Sequence, residues 1–89
     1  MENFLDNWIH INSIKIRNKD TMPLNPKTMS LAIKLWNKEI QPDDLPPIKI
    51  QQDKYGNNWV KDGRHRYLAF RLCGLTHIKS IVSQPKKLK

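Results

Sequence analysis

The chain has 89 residues, of which 16 are Lys or Arg and eight are Asp or Glu, so its formal net charge is +8. This length predicts one domain with a small core over residues 1–89, and no apolar run approaches the ~20 residues of a membrane span. The single cysteine, Cys73, excludes an intrachain disulfide framework and is typical of a reducing cytoplasm. Three scattered histidines beside one cysteine give no zinc-ligand spacing, and the acidic N-terminus lacks a signal-peptide core.

The positive charge is concentrated in the last third of the chain. Residues 1–60 hold eight Lys or Arg against seven Asp or Glu, whereas residues 61–89 hold eight against one. Such a field attracts nucleotides and nucleic-acid backbone. The predicted nucleic-acid contacts are therefore cations of this third: Arg71, Lys79, Lys86, Lys87 and Lys89. For the basic C-terminal tail, residues 84–89, a role in solubility alone is an equally good interpretation.

The first half of the chain predicts a strand and a helix. Residues 8–16 are rich in β-branched side chains, but the isoleucines change face within the segment, which predicts a bend or bulge. Asn25 and Pro26 are a typical helix start, and the predicted helix covers residues 26–40. Four large apolar residues share one face at helical spacing, which predicts that this face is buried: Met29, Ile33, Trp36 and Ile40.

The second half predicts a hairpin, a helix and a last strand. Residues 47–62 alternate in polarity around a turn and are predicted to form a β-hairpin. A helix is expected over residues 64–73, with a buried stripe of Leu68, Ala69 and Leu72, and with Gly74 as a left-handed C-cap. Residues 78–82 are predicted to be a strand. The order β, α, β-hairpin, α, β is that of a small mixed α/β (α+β) domain.

The junction between hairpin and second helix carries the strongest functional signal. Residues 63–66, Gly-Arg-His-Arg, are called the GRHR segment below. Gly63 lets the backbone approach a ligand, the first amides of a helix point at an anion, and Arg64 and Arg66 add charge-assisted hydrogen bonds. His65 is a candidate phosphate donor or general acid, or else a ring that caps the hairpin. We expect Asp62 to be the N-cap; orienting His65, metal binding and catalysis as a base are its alternatives.

Other side chains have two interpretations each. Asp43 and Asp44 are able to reach a Mg²⁺ ion, but a solvated loop explains them equally well. Tyr55, Trp59 and Tyr67 are candidates for stacking on a base, although a Trp on a short strand, such as Trp59, is more often core.

These residues and their order resemble the ParB/sulfiredoxin superfamily. The run 62–70 and the Cys-Gly-Leu of residues 73–75 are similar to its Gly-x-x-Arg box and following helix. Residues 25–29 (Asn-Pro-Lys-Thr-Met) resemble the Asp-Pro-x-Lys-Val that begins the first helix of sulfiredoxins. Residues 44–50 resemble the Val-Pro-Pro-Ile-x-Val strand entry. The similarity covers about residues 9–83.

The resemblance implies a pocket for nucleotide phosphates. The box binds ATP in sulfiredoxins and CTP in partition proteins, so ATP or CTP with Mg²⁺ is the expected cofactor, held by the GRHR segment with Lys27 and Thr28. Lys27 stands one residue before the position of the family's lysine, which Thr28 occupies. Arg64 stands where sulfiredoxins have their catalytic Cys, so sulfinic-acid reduction is not expected. At this length we expect the bare module, without a helix-turn-helix or dimerisation domain.

Three functions are consistent with this sequence. The first is a nucleotide-binding module that works at nucleic acid. The second is an NTPase, phosphotransferase or nuclease in which His65 and Asp62 are the catalytic candidates. The third is a small protein-interaction module without catalysis. Exposed strand edges are able to pair with a second copy, but nothing selects a dimer over a monomer.

Overall fold

The structure of the protein, a computed structural model, describes residues 7–17 and 25–83. The described residues form five strands and two α-helices. The strands are β1 (Asn7–His10), β2 (Ile14–Lys15), β3 (Ile48–Gln52), β4 (Asn58–Asp62) and β5 (His77–Ser83); the helices are α1 (Pro26–Trp36) and α2 (Arg64–Leu72). Short 3₁₀ turns lie at Ile11–Ser13 and Pro42–Asp44. The predicted fold class and the predicted order of elements are confirmed.

The five strands form one mixed sheet in the order β1-β5-β3-β4-β2. The strands β1 and β2 follow each other in the chain but pair at opposite edges, β1 antiparallel to β5 and β2 parallel to β4. The turn Ile11–Ser13 makes this crossing, and it is the bend that the isoleucine pattern predicts. Because consecutive strands reach both edges, the sheet curls around the side that faces the helices.

The predicted hairpin is confirmed, and it occupies the middle of the sheet. The strands β3 and β4 are antiparallel, with an irregularity after Lys49, while β3 runs parallel to β5 on its other side. Side chains alternate along β3, so that Ile48 and Ile50 are fully buried beneath the helices. The buried apolar core includes the following residues: Ile11, Ile14, Ala32, Leu35, Ile48, Ile50, Tyr67, Ala69, Phe70 and Ile78.

Helix α1 begins as predicted but ends earlier, at Trp36 rather than at residue 40. Lys38 adopts a left-handed φ of 62°. The amide of Lys38 donates to the carbonyl of Leu35 (3.1 Å), and that of Glu39 donates to the carbonyl of Lys34 (2.9 Å). This pair of bonds is a Schellman motif, which normally has glycine at the left-handed position. Because a lysine occupies that position, the sequence does not indicate that the helix ends here.

The predicted buried face of α1 is wrong for three of its four residues; the fourth, Ile40, lies beyond the helix and packs partly buried against the core. Met29 is 43% exposed, Ile33 54% and Trp36 71%. The helix instead buries Thr28, Ala32 and Leu35. Small side chains at residues 28 and 32 allow α1 to approach α2 closely, and this close packing outweighs the burial of the larger apolar stripe.

Helix α2 has the predicted start and C-cap, and of its predicted buried stripe Ala69 is buried, Leu68 packs partly buried against the core and Leu72 is wrong. Tyr67, Ala69 and Phe70 are buried, whereas Leu72 is 49% exposed. Gly74 has φ 72°, and the amide of Leu75 donates to the carbonyl of Phe70 (3.0 Å), which confirms the predicted left-handed cap. In the described ranges, no helix is both long and apolar enough to cross a membrane.

Candidate functional site

Helix α2 begins at a glycine that no other residue can replace without strain. Gly63 is the N-cap, with φ 99° and ψ 27°. A Cβ at this position would lie 2.7 Å from Cγ2 of Ile48 and 2.9 Å from Nη2 of Arg66. The left-handed backbone and the lack of space therefore both require glycine. The prediction that Asp62 is the N-cap is wrong: Asp62 is exposed and ends β4, because the chain needs the left-handed turn of Gly63 to enter the helix.

The first turns of the two helices are joined by a side-chain hydrogen bond. Asn25 caps α1 by accepting a hydrogen bond from the amide of Lys27 (2.8 Å). One residue further, the fully buried hydroxyl of Thr28 lies 2.9 Å from Nδ1 of His65 in the first turn of α2. The positive ends of both helix dipoles thus meet at one place.

A cleft of about 520 Å³ opens at this junction. Its lining comprises Pro26, Lys27, Ser30, Leu31, Lys34, Leu45, His65 and Arg66. Four cationic side chains therefore lie in or next to the cleft, since Arg64 precedes His65: they are Lys27, Lys34, Arg64 and Arg66. Burial lowers the pKa of His65 from its ordinary 6.5, and the positive charges of Arg64 and Lys27 lower this pKa further. His65 is therefore neutral at pH 7, in a field that favours anions.

Arg66 is half-buried and incompletely hydrogen-bonded. Its Nη2 donates to the carbonyl of Pro47 over a long 3.5 Å. Its Nε is buried and has no hydrogen-bond partner within residues 7–17 and 25–83. A buried donor without an acceptor is costly, and an anion that reached the guanidinium would remove part of that cost.

Not all of the predicted site residues lie here. The structure brings together six of them: Lys27, Thr28, Gly63, Arg64, His65 and Arg66. Arg71 lies at the other end of α2, where it donates to the hydroxyl of Tyr67 (3.0 Å). Lys79 lies on β5 and donates to the carbonyl of Asp43 (2.9 Å). Lys86, Lys87 and Lys89 lie outside the described residues.

The sequence analysis did not predict five residues that line the cleft: Pro26, Ser30, Leu31, Lys34 and Leu45. For Lys34 a signal was present, because it lies two helical turns after Lys27 and therefore shares its face. For Leu45 there was none, since only the tertiary fold brings the segment before β3 over the start of α1.

The architecture has counterparts among solved structures. Sulfiredoxin from Arabidopsis thaliana superimposes with a TM-score of 0.70 at 20% identity, covering 91% of this chain and 86% of that one. The chromosome-partitioning protein ParB from Caulobacter crescentus, C-terminally truncated and complexed with CTP-γ-S, gives 0.68 at 15% identity, over 92% of this chain and 46% of that one. The fold is ParB/sulfiredoxin-like.

A second structure of the truncated Caulobacter ParB, complexed to the centromeric parS site, gives a TM-score of 0.64 at 18% identity. The superposition covers 91% of this chain and 40% of that ParB chain. The ParB/sulfiredoxin-like domain therefore spans less than half of either ParB structure. No protein-family model and no curated protein matches the sequence. At these identities the likeness establishes the fold alone.

The cysteine of this ParB/sulfiredoxin-like domain is placed away from the cleft. Cys73 follows the last turn of α2, and its thiol donates to the carbonyl of Ala32 (3.2 Å) between the two helices. Burial raises the pKa of the Cys73 thiol above its ordinary value, so the thiol stays protonated at neutral pH. This environment is that of a packing residue.

The acidic candidates have structural partners or lie apart. Asp44 accepts a hydrogen bond from the amide of Gln41 (2.9 Å) and caps the turn Pro42–Asp44. No group of three or more His, Cys, Asp or Glu that could hold a metal ion occurs in the part of the chain that the structure describes.

The three aromatic candidates have three different environments. Tyr67 is fully buried and its hydroxyl donates to the carbonyl of Ile14 (2.9 Å), so the expectation that it stacks on a base is wrong. Tyr55 is 76% exposed in the hairpin turn. Trp59 is half-buried on the sheet face opposite the helices, and its indole N–H donates to Asp53 (3.0 Å).

Proposed function

We propose that this domain binds the phosphates of a nucleoside triphosphate in the cleft between the first turns of α1 and α2. The observation that carries the proposal is the convergence at this cleft. Two helix N-termini are linked through Thr28 and His65, cationic side chains surround them, and a buried guanidinium nitrogen of Arg66 lacks an acceptor among the described residues. Each feature is favourable to an anion and unfavourable without one.

Each residue has a distinct role in this proposal. The first intrahelical bond of α2 runs from the amide of Tyr67 to the carbonyl of Gly63 (3.0 Å). The amides of His65 and Arg66 precede it and have no intrahelical acceptor, so they are available to phosphate oxygens. Arg66 provides a guanidinium fork and Lys27 a point charge. Thr28 is fully buried and acts by positioning His65.

The nucleotide is proposed to be CTP or ATP, carried with Mg²⁺ through its own phosphates. One ParB neighbour was solved with CTP-γ-S, which makes CTP the first nucleotide to test. ATP follows from the resemblance to sulfiredoxins. The proposed site residues hold the phosphates and leave the base to other contacts.

We propose further that the module works at nucleic acid. The strong excess of Lys and Arg after residue 60 supports this part, with Arg71, Lys79 and the tail lysines as the proposed contacts. The ParB neighbour complexed to the parS site gives a precedent in a longer protein.

One observation favours a different function. The exposed apolar face of α1, formed by Met29, Ile33 and Trp36, is unusual for a small monomer and suits a protein partner. An interaction module would use this face and would not need nucleotide. A catalytic function would instead rest on His65, with Asp62 at the end of β4, and would require turnover that His65→Ala abolishes.

Calorimetric titration with CTP, ATP and GTP in Mg²⁺ tests the nucleotide proposal. Arg66→Ala should weaken binding roughly 10- to 150-fold, because it removes charge-assisted hydrogen bonds worth about 1.5–3 kcal/mol. Arg71→Ala is the matched control, since it removes the same charge from the far end of the same helix. Nucleotide at about 100 times its dissociation constant should also stabilise the wild type by about 2.7 kcal/mol.

Two results would contradict this function. One is the absence of saturable binding for all three nucleotides. The other is equal affinity of the wild type and Arg66→Ala, which would place any nucleotide elsewhere on the domain.

A further inference from the structure

The sheet face that points away from the helices carries an aromatic side chain held in a fixed position. Asp53 in the hairpin turn accepts hydrogen bonds from the amides of Tyr55 (2.9 Å) and Asn57 (2.8 Å) through one oxygen. Its other oxygen accepts from the side-chain amide of Asn57 (3.1 Å) and from the indole of Trp59 (3.0 Å). The hydrogen bond from Trp59 is the main reason that the pKa of Asp53 falls to about 2, so the carboxylate holds the indole throughout the neutral range.

Three cationic residues lie over or near this ring. The ammonium of Lys15 lies 5.7 Å from the centre of the Trp59 ring, a cation–π distance. A cleft of about 480 Å³ beside the indole is lined by Arg17, Gln51, Asp53, Trp59, Val60 and Lys61. Among the described residues, the charged groups that lie over the ring or line this cleft are therefore three cations and one carboxylate. Because positive charges outnumber the single negative charge, the local field favours anions.

A second cation–aromatic pair lies on the same face of the sheet. Trp8 is 42% exposed and stands opposite Lys79, whose ammonium is 6.0 Å from the ring centre. Lys79 lies between the buried Ile78 and Ser80 on β5, so it belongs to the sheet face opposite the helices. Gln51, which pairs with Trp59, follows the buried Ile50 on β3, so Gln51 and Trp59 belong to that face as well. The two indoles lie on strands β1 and β4, three strand spacings apart, so roughly 14 Å of sheet width separates their strands.

From these contacts we infer that the outer face of the sheet binds single-stranded nucleic acid, with one base stacked on Trp59 and its phosphates held by Lys15, Arg17 and Lys61. Exposed rings among cations are the shared feature of surfaces that bind single strands, because a ring accepts any base and the cations follow the backbone. A ring fixed in advance also loses little conformational freedom on binding. Duplex DNA hides the faces of its bases, so this surface should prefer single strands.

The inference rests on the nucleic-acid part of the proposed function. It specifies which surface of the domain binds nucleic acid and that the nucleic acid is single-stranded. It is separate from the nucleotide cleft, which lies on the helix side of the sheet. The two proposals can therefore fail independently, provided that both ligands are titrated into the same variants.

Fluorescence anisotropy with labelled strands of about 12 nucleotides, within the usual site sizes, tests the inference. Trp59→Leu should weaken binding of oligothymidylate or oligouridylate roughly 5- to 150-fold, the cost of losing one stacked base. Trp59→Phe keeps a ring but loses the hydrogen bond to Asp53, so its affinity should lie between those of the wild type and Trp59→Leu, which separates stacking from damage to the fold. Trp36→Leu is the matched control, because Trp36 is exposed on the helix side.

A second measurement observes the ring directly. A protein with Trp59 as its only tryptophan (Trp8→Phe with Trp36→Phe) should show quenched fluorescence on saturation with oligothymidylate. An abasic strand of the same length should quench much less, since it has phosphates but no bases.

Three outcomes would overturn the inference: wild-type affinity in Trp59→Leu, equal binding of duplex and single strands, or unchanged Trp59 fluorescence at saturation. Absence of all strand binding, with nucleotide binding intact, would remove the nucleic-acid part and leave the phosphate cleft standing. Preference for oligouridylate over oligothymidylate would support the inference and identify RNA as the ligand.

Discussion

The two helices of this domain begin in opposite ways. Helix α1 starts by the ordinary rules: Asn25 accepts a hydrogen bond from the amide of Lys27, and Pro26 occupies the first turn. Helix α2 starts at Gly63, which has no side chain to cap it and a left-handed backbone. Cations then occupy its first turn, where the helix dipole disfavours them. The first start stabilises the protein alone, whereas the second would become more favourable if an anion were bound.

This difference supports the proposed phosphate site at the start of α2. The cap of Asn25 occupies one amide at the start of α1, whereas no side chain caps the start of α2, so α2 leaves more of its first amides for a ligand. The hydrogen bond between Thr28 and His65 holds the two starts together, so the stable start supports the unstable one. Substitutions on each side of this bond should separate the two roles.

The largest effect is expected at Gly63. Gly63→Ala should destabilise the protein by roughly 2–4 kcal/mol, because left-handed strain adds to the clash with Ile48 and Arg66. Gly56→Ala is the matched control: Gly56 has φ 86°, but an added Cβ would meet no atom within 4 Å, so only strain of about 1 kcal/mol applies. Urea denaturation of both variants measures the difference, and equal losses would show that the space at Gly63 is not limiting.

Thr28→Val should have the next largest effect. The change keeps the shape of a fully buried side chain but removes the partner of Nδ1 of His65, at a cost of about 1–2 kcal/mol. It should also weaken nucleotide binding, because the imidazole loses its orientation. Ser13→Ala removes an exposed hydroxyl bond to the carbonyl of His10 and should cost less. Stability by urea denaturation and affinity by calorimetry should both be followed; a loss of stability without any loss of affinity would contradict the positioning role.

Asn25→Ala tests the side-chain-capped start of α1. Loss of this cap should cost about 1 kcal/mol of stability. The affinity for nucleotide should stay close to wild type, because the cap satisfies an amide of α1 and does not face the ligand. A loss of affinity as large as that of Arg66→Ala would mean that the two starts are not functionally distinct.

The smallest effect is a dependence on pH through His65. Its pKa lies below the ordinary 6.5, so the folded protein binds fewer protons than the unfolded chain, and stability without nucleotide should fall as the pH drops below 6.5. A bound triphosphate favours the imidazolium, so nucleotide affinity should rise a few-fold over the same window. His65→Gln should remove the part of this increase in affinity that comes from the imidazole. Calorimetric titrations at about pH 7.5 and about pH 5.5, on either side of the ordinary histidine pKa, measure the difference. An identical pH profile in wild type and variant would exclude contact between His65 and the phosphates.

The sequence predicted much of the fold because its local signals agree with the tertiary structure. The cap at Asn25, the alternation of β3 and the left-handed Gly74 each determine one element without help from distant residues. The predictions failed where packing between elements decided the outcome. The small residues Thr28 and Ala32 face α2 in place of the larger Met29 and Ile33, and Lys38 ends α1 in a conformation that its residue type does not indicate.

The same division applies to the candidate site. Glycine, arginine and histidine at a strand-to-helix junction were enough to predict which segment forms the cleft. The bond between Thr28 and His65 spans 37 residues of sequence, and the unmet Nε of Arg66 depends on how Pro47 and Ile48 pack over Gly63. Neither feature produces a pattern in the local amino-acid sequence. The prediction for Tyr67 was wrong because its ring packs into the core, which sequence spacing alone did not reveal.

The N-terminal segment crosses from one edge of the sheet to the other. This crossing affects how the protein folds and whether it aggregates. Strands β1 and β2 are short, and together they cover the outer edges of β5 and β4. Their partners lie far away in sequence, as Asn7 does from Ser80, so we expect these pairings to form late in folding. Removal of residues 1–17 would uncover two strand edges at once, and a chain cut there should polymerise edge to edge.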